Sequence, residues 1–203
     1  MTPLRYLALG DSYTIGEGVP AGARWPTVLV ERLRQAGVAI DDPRIVAVTG
    51  WTTDELAHGM DEASLAPPYD LVSLQIGVNN QYRGRAIEEY RAEFAGLLAR
   101  ALALAGHRPE RVMVVSIPDW GVTRFAREQG RDAATVATAL DAFNANAGEQ
   151  AGNAGAHFVD ITAISRQAPD ALASDGLHPS AAQYALWVEA ILPITRKALR
   201  ATP

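Results

Sequence analysis

The sequence contains no cysteine, which at once excludes disulfides, thiolate metal sites and a cysteine nucleophile. That absence suits a reducing compartment. Only four histidines occur in 203 residues. They are scattered and no His-Glu-x-x-His run is present, so no metal site is expected. No uncharged apolar run approaches the ~20 residues of a membrane-spanning helix. Basic residues are dispersed and the net charge is −5, so nothing marks a nucleic-acid surface. The Gly-x-Ser-x-Gly nucleophile elbow of the α/β-hydrolases is missing. The glycine-rich stretch from Gly10 to Gly18 lacks both the Lys-Ser/Thr of a P-loop and the Gly-x-Gly-x-x-Gly spacing of a dinucleotide site. The apolar stretch at residues 4–9 is too short for a signal peptide, and a cytoplasmic location is the expectation.

What is present is ordinary globular composition, 48% hydrophobic and 20% charged. Without linker, repeat or low-complexity tract, one domain over residues 1–203 is expected. Short apolar runs at residues 4–9, 44–48, 71–76, 111–117 and 156–160 read as strands. Helical patterns fall between and after them at residues 26–36, from Thr53, and at 85–105, 133–154 and 180–199. Ser180 with Gln183 three residues on reads as a capping box for the last of these. Arg196, Lys197 and Arg200 read as favourable charges at its end. Strands alternating with helices call for a three-layer α/β/α fold with a five-stranded parallel sheet. Ligands of such sheets bind beyond the carboxyl ends of the strands.

Four segments stand at or near such ends: Gly10-Asp11-Ser12, Thr49-Gly50-Trp51, Gly77-Val78-Asn79-Asn80, and, further on, Asp175-Gly176-Leu177-His178. In order and position they resemble the four blocks of the SGNH (GDSL-type) hydrolases, over almost the whole chain. A lone Gly-Asp-Ser or Asp-x-x-His is a weak signal; four in order, each in its structural context, are a strong one. The resemblance implies a flavodoxin-like sheet of strand order 2-1-3-4-5. It also implies a serine esterase that needs no cofactor and acts on a small-molecule ester. The nucleophile falls on Ser12, the base on His178 and its orienting acid on Asp175. The oxyanion donors fall on the Ser12 and Gly50 backbone N–H groups and the Asn79 side chain. One position departs: the family's third block usually ends in Asp, and here Asn80 stands there. This puts the block's local hydrogen bonding in question more than the activity.

The residue types suit that chemistry. A serine hydroxyl needs an adjacent base to take its proton during attack. A histidine serves as base and then as acid toward the leaving alcohol, and an aspartate on its other nitrogen fixes the tautomer. Each residue also has an ordinary structural explanation. Ser12 suits a helix cap, Gly50 and Asn79 suit turns, and a lone histidine is usually a packed one. Asp11 is expected to support its loop by hydrogen bonds. His58, His107 and His157 have no context that assigns them a role.

Possible substrate contacts are Trp51 and Trp120 after strands two and four, and Tyr82 and Arg83 beyond Asn79. Trp25 is a candidate for the rim of the glycine-rich loop, Trp187 for the core. Arg83, Arg85 and Arg124 hint at an anionic group. Residues 118–131 form a long connection that suits a specificity loop. Short acyl chains are favoured, since no apolar lid is evident. Two readings from other classes stand beside the esterase: a silent binding module using the same cleft, and a phosphate-binding flavodoxin-like protein. A homo-oligomer is not indicated.

Overall fold

The strands form because their residues can be buried on both faces. In β1 (Tyr6–Gly10) and β3 (Leu71–Gln75) every residue is buried, as in β4 (Val112–Val115). Such near-continuous apolar runs belong to parallel sheets covered by helices on both sides. With the edge strands β2 (Arg44–Ala47) and β5 (His157–Val159) they make one five-stranded sheet of order β2-β1-β3-β4-β5. All four pairings are parallel. This is the flavodoxin-like order that the family resemblance implies. The computed structural model describes residues 2–200. The expected domain also covers residues 1 and 201–203, which lie outside the described residues.

Nine helices are seen among the described residues: α1 (Ser12–Ile15), α2 (Trp25–Gln35), α3 (Thr53–Glu62), α4 (Val78–Tyr82), α5 (Ile87–Leu104), α6 (Arg124–Glu128), α7 (Ala133–Asn153), α8 (Thr162–Gln167) and α9 (Ala181–Arg200). The chain leaves β1 through α2 to β2 on one side, then returns through α3 to β3 on the other. Right-handed crossovers in opposite directions put α2 and α3 on opposite faces. The packing agrees: α2 lies against α9, and α5 lies against α3 and α7. One continuous core runs from Leu7, Leu9 and Leu74 in the sheet to Leu29, Leu33, Tyr90 and Trp187 in the helices. No described helix is long and apolar enough to cross a membrane.

Reversal of the strand order at β1 opens a crevice beyond the carboxyl ends of β1 and β3, where ligands of open α/β sheets bind. The segments after β1, β2, β3 and β4 all turn toward it. Four of the nine helices, α1, α4, α6 and α8, are four to six residues long. Three of these lie in segments that follow strands around the crevice.

Candidate active site

Ser12 is the first residue of α1, directly after β1. The buried Asp11 caps that helix by accepting from the Tyr13 N–H at 3.0 Å. Capping thus holds Ser12 at a helix start, where backbone N–H groups have no helical partner. Among the described residues the Ser12 N–H donates to no group, and the same is true of the Gly50 N–H. Burial pushes the Asp11 carboxyl up to about 7, against the lowering effect of the Tyr13 N–H.

Asp175 and His178 lie on the turn that leads into α9. Asp175 Oδ2 is 2.6 Å from His178 Nδ1. Its Oδ1 accepts from the backbone N–H groups of Leu177 (2.9 Å) and His178 (3.0 Å). Burial works against the Asp175 charge. The hydrogen bonds from the His178 ring and from the two N–H groups outweigh it and hold the carboxyl below the ordinary aspartate range. The carboxylate therefore grips both the ring and the backbone of the same residue. The turn needs a left-handed residue, and Gly176 supplies it with φ +72°.

Gly50 has φ +89°, a conformation that costs other residues. Its carbonyl accepts from Arg83 Nη2 at 2.7 Å. Asn79 donates one amide hydrogen to the Trp51 carbonyl at 2.8 Å, which orients the group and leaves the second hydrogen unspent. Asn80 is fully buried. Its Oδ1 accepts from the Thr53 N–H (3.1 Å) at the start of α3, and its Nδ2 donates to Thr53 Oγ1 (2.6 Å). Thr53 passes its own hydrogen to the Glu93 carboxylate. The amide in place of the family's acid thus ties the segment after β3 to the segment after β2, with the negative charge moved one step outward to Glu93.

A cavity of about 190 Å³ is lined by Ser12, His178 and Asn79 on one side and by Val78, Tyr82, Trp120, Phe125 and Leu177 among its other walls. Ser12 Oγ and His178 Nε2 make no hydrogen bond among the described residues. The structure therefore brings Ser12, Asn79, His178, Tyr82 and Trp120 to one cavity, with Asp175 bonded to His178 and Gly50 next in sequence to Trp51, whose carbonyl Asn79 bonds.

Three of the expected contacts lie outside the lining of this cavity. Trp51 does not line the cavity: its ring packs on α3 at Gly59, where a Cβ would lie 2.2 Å from it. Arg83 does not line it either, being held by the Gly50 carbonyl and by Glu55 at 3.4 Å. Trp25 is no rim residue; it is fully buried, and its Nε1 donates to Gln75 Oε1 at 3.1 Å. The hinted cations are likewise engaged. Arg85 pairs with Asp54 at 2.5 Å, and Arg124 donates to the Ser174 carbonyl at 2.9 Å.

Residues 118–131 do border the cavity, but as built structure. A 3-10 turn at Trp120–Val122 is followed by α6. Buried Asp119 anchors it, accepting from the Gly121 N–H and from Arg166 Nε at 2.9 and 2.8 Å. The Phe125 N–H donates to the Gly176 carbonyl at 2.9 Å, which joins the cavity wall to the turn carrying Asp175 and His178. Tyr13, Val78, Phe125 and Leu177 escaped the sequence reading. Tyr13, Val78 and Leu177 sit beside or between motif residues, and that adjacency is the one signal pointing to them; Phe125 lies within the 118–131 connection.

A family model described as the GDSL-like Lipase/Acylhydrolase family matches residues 8–186, and the chain belongs to that family. Membership supports hydrolysis of an ester. Solved structures with the same fold include TesA, 18% identical with a TM-score of 0.74, the match covering 96% of this chain and 99% of that one. The psychrotrophic esterase EstA from Pseudoalteromonas sp., in a form inhibited by monoethylphosphonate, is 16% identical with a TM-score of 0.74, covering 97% and 99%. A mutant of Axe2, an acetyl-xylooligosaccharide esterase from Geobacillus Stearmophilus, is 20% identical with a TM-score of 0.70, covering 99% and 96%. No curated protein sequence matches the chain.

Proposed function

We propose that the protein is a serine esterase that cleaves small carboxylic esters through an acyl-serine intermediate. The observation that carries this reading is the 2.6 Å contact between Asp175 and His178 Nδ1, behind a ring that lines the same cavity as Ser12. His178 Nε2 takes the Ser12 proton as Oγ attacks the ester carbonyl, then delivers it to the leaving alcohol. Catalytic hydrogen bonds of this kind tighten when substrate fills the site. A water repeats the sequence to release the acid and restore Ser12. Asp175 holds the tautomer and stabilises the imidazolium.

The tetrahedral oxyanion is met by the uncommitted N–H groups of Ser12 and Gly50 and by the second amide hydrogen of Asn79. Each such donor typically contributes about 10²–10³ in rate. The cavity of about 190 Å³ is below the ~300 Å³ at which drug-sized pockets begin, which supports short acyl or alcohol groups. The single sheet and continuous core support one domain.

The test is hydrolysis of p-nitrophenyl acetate, butyrate and octanoate by the wild type, Ser12→Ala and His178→Ala. Both variants should lose about 10³-fold or more in kcat, with acetate and butyrate preferred to octanoate. A wild type no faster than Ser12→Ala on all three, with Ser12 unreactive to a fluorophosphonate, would overturn the assignment in favour of a silent binding module.

A further inference from the structure

We propose that Arg131 forms an anion-recognition subsite at the outer rim of the cavity. The esters this site selects then carry a carboxylate at the far end of a short apolar segment. The proposal rests on the esterase reading and adds to it the chemical class of substrate.

Arg131 is an exposed residue just beyond the Gly130 turn, where its N–H donates to the Ala126 carbonyl at 2.9 Å. That turn folds the chain back after α6. The guanidinium carbon then lies 5.4 Å from the centre of the Tyr82 ring and 6.0 Å from that of Trp120. Both rings line the cavity, and they meet edge to face at 5.3 Å. Ring faces attract a cation and hold it in place without using its N–H donors. A guanidinium keeps five of these, in a fork that matches a carboxylate.

The other arginines near the site are engaged. Arg83 reaches Glu55 and the Gly50 carbonyl, Arg124 reaches Glu128 and the Ser174 carbonyl, and Arg127 reaches Asp170 and the Val122 carbonyl. Among the described residues no carboxylate pairs with Arg131. The wall beneath it offers one further polar group, the Tyr82 hydroxyl. The Trp120 N–H is taken by Gln81 Oε1 at 2.8 Å, and Val78, Phe125 and Leu177 have no polar side-chain atom. A ligand filling this cavity therefore meets a largely apolar wall, with Arg131 packed against two of its rings.

A carboxylate can sit on either half of an ester, so the experiment uses both placements. Ser12→Ala, which holds esters without consuming them, is titrated calorimetrically with monomethyl glutarate against dimethyl glutarate. These carry the charge on the acyl side. A second pair, 3-acetoxypropanoate against its methyl ester, carries it on the alcohol side. In at least one pair the anion should bind about fivefold more tightly, the size of a half-exposed ion pair. The preference should shrink with added salt, persist in part in Ser12→Ala/Arg131→Lys and vanish in Ser12→Ala/Arg131→Gln. The responding pair identifies the half of the ester that enters the cavity. In the Ser12-containing enzyme Arg131→Gln should lower kcat/KM for the responding anionic ester toward that of its neutral partner. Equal binding of anion and neutral partner in both pairs, or a preference that survives Arg131→Gln, overturns the proposal. Failure of the esterase reading would show separately, as absence of Ser12-dependent turnover of any ester, and the binding comparison reports on Arg131 in either case.

Discussion

Asn80 shows how the destination of one hydrogen atom sets the pairing of a buried polar network. The Thr53 hydroxyl has one hydrogen to give. With an amide at position 80 that hydrogen goes to Glu93, while the amide donates to the hydroxyl oxygen. Asn80→Asp would set two carboxylates on one donor. It should destabilise the fold by about 1–3 kcal/mol, the usual cost of an unsatisfied buried polar group. Adding Glu93→Gln should restore most of the loss, a coupling that a double-mutant cycle by denaturant unfolding measures directly. Asp11 permits a second prediction. Burial raises its carboxyl to about 7, against ~3.9 in an unfolded chain. An acid raised in the native state gives its full contribution to stability below the unfolded value and loses it as pH climbs through the native one. Asp11→Asn keeps an oxygen for the Tyr13 N–H and cannot ionise. Its unfolding free energy should match the wild type near pH 4 and exceed it progressively toward pH 8. At this scale legibility followed chemistry. Ser12, Asn79 and His178, which the structure brings to one cavity with Asp175 bonded to His178, could be singled out because the chemistry proposed for them fixes their residue types. Trp25, Trp51 and Arg83 were misplaced because a tryptophan or arginine after a strand carries no sign of which way it turns.

Among the elements, the long ones were legible and the short ones were not. Periodicity located α2, α5, α7 and α9, each at least eleven residues long. Helices α4, α6 and α8 span five or six residues, too few for a repeat of 3.6 to declare itself. The expected capping box at Ser180 forms only in part. The Gln183 N–H is 3.4 Å from Ser180 Oγ, but the Gln183 side chain donates to the Ala168 carbonyl. A complete box instead begins α3, where the Glu55 carboxylate accepts from the Thr52 N–H at 2.8 Å. The turn before α9 offers a prediction of its own. Gly176→Ala places a Cβ at φ +72°, 2.5 Å from Arg124 Nε. Gly37→Ala, at φ +83° with open space around it, carries the same backbone strain away from the site. Both should lose about 1–2 kcal/mol of stability, measured by calorimetry. Only Gly176→Ala should also lower kcat, by tenfold or more with KM little changed, because its strain falls on the residues that carry Asp175 and His178.

For the molecule as a whole, alternation of strand and helix disclosed the layers, and the near-continuous apolar runs of β1, β3 and β4 disclosed a sheet covered on both faces. Strand order came from family resemblance, because no local pattern states which strand lies beside which. Contacts between distant segments were equally silent: Arg131 on Tyr82 and Trp120, or Phe125 on Gly176, join residues whose sequence neighbourhoods say nothing of each other. The last of these has a consequence for selectivity. One wall of the cavity and the turn bearing the base share a hydrogen bond from the Phe125 N–H to the Gly176 carbonyl, so they are coupled like the two arms of a lever. On the proposed function, an ester too bulky for the cavity is expected to displace Phe125 and with it the turn that carries His178. Steady-state kinetics should then show oversized esters as competitive inhibitors of good substrates rather than as substrates.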